Sequence, residues 1–275
     1  MMVKWIKQLD QIMRGDATRI SVLREGRIEM PVGGLSIVVI LLGVIYGLCM
    51  GSFAVIRTAS TPEGVTNHAI QQMLASAVKL PLLFFLTLLV TFPSLYVFNA
   101  LVGSRLSMVS VARLIVAMLG VTLAVLASLG PIVVFFALST SSYPFMKLLN
   151  VAMATISGVL GLAFLVRTMH RLVMVQDQID FPPPAPDNTD GDQTQEELDD
   201  SEAKSALDKI DWTTSRKATA VFKIWVVAFA LVGTQMSWVL RPFIGSPDMP
   251  FAWLRVRESH FFHDVIKSLA ELFGG

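Results

Sequence analysis

Five intervals of this chain carry no Asp, Glu, Lys or Arg: residues 30–56, 80–104, 114–146, 148–166 and 224–240. A helix crosses ~30 Å of hydrocarbon with roughly 20 apolar residues, and 17 to 25 are tolerated. Each interval therefore has room for one crossing. The third is 33 residues long, too short for two crossings and a turn. It contains Gly130-Pro131 and then Ser139-Thr140-Ser141-Ser142, a polar turn after which Tyr143-Pro144 opens the next helix. The fifth is marginal in length, but Lys223 and Arg241 at its ends can extend their charged heads to water while their stems stay in lipid. The fold class that follows is all-α, a polytopic transmembrane bundle of five helices at about 33–56, 80–102, 110–138, 144–172 and 218–241. Amphipathic helices lying in the interface accompany it.

Composition excludes the alternatives. Charged residues make up 16% of the chain and hydrophobic residues 53%, whereas a soluble domain carries about a quarter charged. The net charge of +1 creates no field that would attract nucleic acid. Cys49 is the single cysteine, which rules out an intrachain disulfide framework and a multi-cysteine metal cluster.

The distribution of basic residues sets the expected orientation. On alternate sides of five crossings, 15 Lys and Arg fall with the N-terminus and seven fall opposite. The positive-inside rule then places the N-terminus in the cytoplasm and the C-terminus outside, in the cell inner membrane. The first apolar run is longer than a signal h-region and follows about thirty charged-rich residues, so it reads as an uncleaved signal-anchor.

Outside the hydrocarbon, residues 1–29 form a cytoplasmic segment whose stretch 3–13 is amphipathic, with Val3, Ile6, Leu9 and Met13 on one side. Residues 65–79 read as an external interfacial helix opened by Thr61-Pro62, with Ile70, Met73, Leu74, Ala77 and Val78 on its apolar face. Asn67, Gln71 and Gln72 lie away from that face. Residues 175–217 hold a Pro-rich stretch followed by an acidic run, and 12 of the 21 carboxylates fall between Asp177 and Asp211. Such a segment cannot bury enough surface to offset chain entropy, so a disordered cytoplasmic loop is expected. It is either a solvated tether or a docking segment for a basic partner. Residues 242–275 are external, with an amphipathic helix at 259–273.

Small residues mark helix faces that allow close backbone approach: Gly43, Gly47 and Gly51 in the first span, Gly120 in the third, and Gly158 and Gly161 in the fourth. Packing within one chain and a homo-oligomer interface are both open. Pro93 interrupts the second span, but no acidic residue lies within any span, which argues against a proton- or sodium-coupled relay. Trp238, Phe243 and Trp253 around Arg241 read as an aromatic belt that contacts lipid or a partner. Arg241 is either a snorkelling anchor or the holder of an anionic headgroup or a carboxylate. His260 and His263, one turn apart and beside Asp264, are weak candidates for a metal, with no H-E-x-x-H motif to support them. No catalytic signature is present, and no cofactor is expected.

Several stretches resemble a group of uncharacterised bacterial multi-pass inner-membrane proteins. They are Ala75-Ser76-Ala77-Val78-Lys79-Leu80-Pro81, Thr91-Phe92-Pro93-Ser94 through Asn99, Tyr143-Pro144-Phe145 through Asn150, and Gly233-Thr234-Gln235 through Gly245. In layout the chain is also distantly similar to the Yip1 family, which implies organising membranes and recruiting partners rather than catalysis. The resemblance transfers no active-site residues. The expected function is a non-catalytic scaffold, assembly or accessory subunit of a larger membrane complex, contacting lipid and protein partners. The alternative is a small-solute transporter or channel component with a wet path past Asn99, Asn150, Gln235 and Arg241. A lipid-acting enzyme would need His260, His263 and Arg241 to meet in one external pocket.

Overall fold

The computed structural model describes residues 2–14, 32–60, 66–101, 108–180, 224–245, 251–254 and 260–273. Every regular element among them is a helix. In chain order these are α1 (Met2–Met13), α2 (Val32–Ala59), α3 (Asn67–Leu101), α4 (Met108–Ser139), α5 (Tyr143–Asp180), α6 (Ile224–Val239) and α7 (Phe261–Phe273). Four contain segments long and apolar enough to cross a membrane: Gly33–Ala59, Asn67–Ser94, Ala112–Ser139 and Tyr143–Thr168.

Of the expected fifth crossing, 218–241, the described residues form the helix Ile224–Val239, shorter than the other four, and residues 218–223 lie outside the described residues. At a rise of 1.5 Å per residue α6 covers about 24 Å, less than the ~30 Å of a hydrocarbon core. Its end has a local cause. Pro242 lacks an N–H and disfavours helical geometry at the residue before it, so the chain leaves the helix at Leu240-Arg241. The Arg241–Pro242 peptide bond is cis.

The glycine faces are consumed inside the chain. A β-carbon at Gly43 would lie 3.2 Å from Pro81 Cβ, one at Gly47 would lie 2.6 Å from the Ser76 carbonyl oxygen, and one at Gly51 would lie 2.7 Å from Met73 Cα. The partner numbers fall as the glycine numbers rise, so α2 and α3 form an antiparallel pair with backbones in contact. In lipid, where tails are as apolar as Leu, such packing is what holds helices together. On the other side of α2, Gly120 meets Val39 and Leu35, and Gly130 meets Cys49 Sγ. Those partners rise together, so α4 runs parallel to α2. Gly161 of α5 closes on Thr122 of α4. Between these last two helices, Ser142 Oγ accepts the Phe145 N–H at 3.3 Å, an N-cap that satisfies one orphan donor of the new helix. The bundle core gathers Tyr46, Phe53, Met118, Leu119, Leu123, Met146, Leu165 and Trp225. Leu89, Phe135, Leu138 and Val159 point outward, as expected of faces turned to lipid rather than water.

Two boundaries and two faces differ from the sequence reading. Residues 65–79 are not a separate interfacial helix: α3 passes without a break through Lys79-Leu80-Pro81 and on through Pro93. Thr61-Pro62 lie outside the described residues, and Thr66 accepts the Ala69 N–H at 3.3 Å in the first turn. The faces of this helix also divide differently from the expected ones: Ala77 of the apolar set is buried, and Asn67 and Gln71 of the polar set are exposed beside Ile70 and Leu74. Ile70, Leu74 and Val78 are exposed, whereas Gln72, Ser76 and Lys79 are buried. In α1 the inward residues are Leu9 and Ile12, packed on Leu35, Val38 and Val116, with Trp5 against Gly34. Ile6 and Met13 face out. Lastly, α5 continues to Asp180, so the helix runs past the expected loop start at 175. Residues 181–217 of that loop lie outside the described residues.

Candidate functional site

Two features beside one end of the bundle concentrate its polar chemistry. The first is the non-helical run Arg241–Gly245. Backbone that leaves a helix inside an apolar bundle exposes carbonyls that lipid cannot satisfy, and several kcal/mol per group are at stake unless protein donors meet them. Here they are met. Gln72 Nε2 donates to the Pro242 carbonyl at 3.1 Å and to that of Phe243 at 3.3 Å. Ser76 Oγ also donates to the Phe243 carbonyl. Lys79 Nζ donates to Pro242 at 3.0 Å and to the Trp253 carbonyl. The Tyr143 hydroxyl reaches the Ile244 carbonyl at 3.2 Å. Gly245 seats against Gln72 and Ala54 so closely that a β-carbon would collide with both. Lys79 is fully buried, with its ammonium 5.3 Å from the Trp253 ring centroid. Gln72, Ser76 and Lys79 recur every three to four residues, so one face of α3 presents a ladder of donors to this segment.

The second feature is a cavity of about 630 Å³. Its floor is α4, through Met118, Leu119 and Thr122. One wall is α3 with α6, through Phe84, Thr87, Phe229 and Gly233. The facing wall is α5, through Val151, Ala154, Gly158 and Leu162. Phe261, Phe262, Asp264 and Val265 of α7 line it at the end where Arg241 and Lys147 also enter. A β-carbon at Gly158 would meet nothing within 4 Å, so this glycine borders open space while Gly161, one turn on, is packed.

The electrostatics of the cavity are confined to that end. Among the described residues lining it, the charged side chains are Lys147, Arg241 and Asp264. Lys147 Nζ pairs with Asp264 Oδ2 at 2.9 Å. This bond ties α7 to the first turns of α5. The Arg241 guanidinium stacks over the Trp238 ring, 3.7 Å from its centroid. Along the walls the hydroxyls are turned to their own helices. Thr87 donates to Leu83, Thr122 to Met118, Thr155 to Val151 and Thr234 to Ala230, all at 2.7–3.0 Å. Tyr46 donates to Asn150 Oδ1 at 3.0 Å, and Asn150 Nδ2 to the Met146 carbonyl at 2.8 Å. With these protons engaged, the walls present mainly CH surface.

The residues expected to form the belt separate. Trp238 is buried beneath Arg241, Phe243 is half-buried against the core, and Trp253 is exposed over Lys79. Asn150 and Arg241 line the cavity, Gln235 faces outward, and the Asn99 side chain lies outside the described residues. His260 and His263 are exposed and absent from the cavity lining, whereas Asp264 is engaged by Lys147. Among the described residues no group of three or more His, Cys, Asp or Glu comes together. The sequence reading missed the Gln72-Ser76-Lys79 ladder. Its available signal was a polar stripe at helical spacing continuing into an apolar span. The chain matches no protein-family model, no curated protein and no solved structure.

Proposed function

We propose that the chain is a non-catalytic multi-pass protein of the cell inner membrane, a scaffold or accessory subunit of a larger membrane assembly. The observation that supports this reading is the use made of interior polar groups. Gln72, Ser76, Lys79 and Tyr143 hold backbone carbonyls, and Tyr46 holds Asn150. These are structural tasks that leave no assembled set of nucleophile, base and orienting group among the described residues. In this reading α6 and its flanking residues are a fifth crossing anchored by Lys223 and Arg241, with the N-terminus cytoplasmic and the C-terminus outside. Partner recruitment of the kind the Yip1 likeness implies would use the outward apolar faces of α3 to α6.

Cross-linking in native membranes, then affinity purification in mild detergent, tests the reading. A defined partner should be retained in fixed stoichiometry. Recovery of monomer alone, with no cross-linked partner, refutes it. The second reading, a transporter component, is tested by solute flux into liposomes containing the purified protein.

A further inference from the structure

We propose that the cavity between α5 and α6 is a binding site for one acyl chain of an anionic phospholipid, whose phosphate is received at Lys147 and Arg241. The site stands whether or not the protein scaffolds a complex.

The shape matches a chain rather than a compact solute. From Lys147 to Leu162 the lining positions of α5 span about 22 Å at 1.5 Å per residue, more than the ~15 Å that is half of a ~30 Å hydrocarbon core. The volume of about 630 Å³ falls within the roughly 300–1,000 Å³ of small-molecule sites. The interior chemistry points the same way. A sugar or an ion needs donors and acceptors along its path, yet the wall hydroxyls donate to their own helices. A hydrocarbon chain needs none.

Charge selects the headgroup. Among the described residues lining the cavity, two cations and one carboxylate stand at a single end, opposite a mainly apolar interior. The two cations arrive from opposite walls, Lys147 from the first turns of α5 and Arg241 from just beyond α6. Each is held in place, Lys147 by Asp264 at 2.9 Å and Arg241 by the Trp238 ring. A planar guanidinium suits a phosphate, which it can meet with two parallel N–H donors. Small residues line the gap between the walls, Ala154 and Gly158 on α5 and Ala230 on α6, and Gly158 borders open space. The adjoining outward faces are apolar, so the second chain of the same lipid can remain in the bilayer.

Native mass spectrometry of the full-length protein in mild detergent tests this, with dioleoyl phosphatidylglycerol, dioleoyl phosphatidylcholine and oleate as probes. The expected result is one retained phosphatidylglycerol per chain, preferred over phosphatidylcholine. Lys147→Gln and Arg241→Gln should each lower that preference about five-fold, as loss of one basic contact to an anionic headgroup implies. Gly158→Phe, which projects into open space, should abolish retention while the protein stays folded. It decides the matter if the charge variants fail to fold. Equal retention of the two phospholipids, or undiminished retention in Gly158→Phe, overturns the site. Displacement of phosphatidylglycerol by equimolar oleate overturns the phospholipid as its occupant.

Discussion

Replacing Gly47 by Ala adds one methyl group where the backbones of α2 and α3 meet directly. The new β-carbon would lie 2.6 Å from the Ser76 carbonyl oxygen and 2.7 Å from Ala77 Cα. Both partners are backbone, so no rotamer change relieves the overlap and α2 must move from α3 by several tenths of an ångström. Overpacking of this kind costs about 1–3 kcal/mol. Removing a mid-helix glycine returns roughly 0.5–1 kcal/mol, leaving a net loss of up to about 2.5 kcal/mol, and about 1 kcal/mol at the middle of both ranges. Gly158→Ala is the matched control. Its β-carbon meets nothing within 4 Å, so only the favourable backbone effect remains and the sign reverses. Cys49, the only thiol, lies at the α2–α4 contact beside Gly130. A thiol-reactive fluorogenic dye therefore reports melting of the bundle in detergent. With roughly 2–4 °C of Tm per kcal/mol for a chain of this size class, Gly47→Ala should melt about 2–5 °C below the parent at mid-range and up to ~10 °C below at most, and Gly158→Ala at or slightly above it. Equal melting of the two variants would refute the close-contact argument.

Three further substitutions probe the polar ladder and its neighbours. Lys79→Met removes one of two donors to the Pro242 carbonyl, which keeps Gln72, and the Lys79 donor to the Trp253 carbonyl, and should destabilise by about 0.5–1.5 kcal/mol, the net worth of a hydrogen bond. Protease cleavage within 241–257 should accelerate in step, and an unchanged digestion pattern counts against the ladder. Tyr46→Phe deletes the hydroxyl bound to Asn150. Interhelical hydrogen bonds in membranes are worth about 0.6 kcal/mol on average and up to ~1.7, so the dye-monitored Tm should fall by only a few degrees. Asp264→Asn breaks the tie to Lys147, which is partly exposed. Overall stability should change by less than ~1 kcal/mol, but amide exchange in 261–273 should quicken. If α7 exchanges at the parental rate, the ion pair is not what docks it.

Charge depletion made the bundle legible. The interval 30–56 foretells α2, and the polar turn at 139–142 foretells the corner between α4 and α5, because an ionised group in hydrocarbon is costly wherever it falls in the fold. The glycine spacing announced close helix contacts but not their partners. Periodicity identifies a face, and only tertiary packing decides whether it meets its own chain or another.

Where the reading of α3 diverged, the cause was the solvent assumed for its two faces. Of the expected polar residues Asn67, Gln71 and Gln72, only Gln72 is turned inward, with Ser76 and Lys79, while Asn67 and Gln71 are exposed beside Ile70, Leu74 and Val78. The sequence by itself determined that this chain is helical, apolar and built for a membrane, since length and missing charge depend on no partner. The tertiary structure decided which faces are inside. Pro242 ends α6, the freed carbonyls of Pro242 and Phe243 need protein donors once they are buried in the bundle, and those donors stand on α3, some 165 residues earlier in the chain. That pairing follows from where α6 ends in space, and no local pattern encodes it.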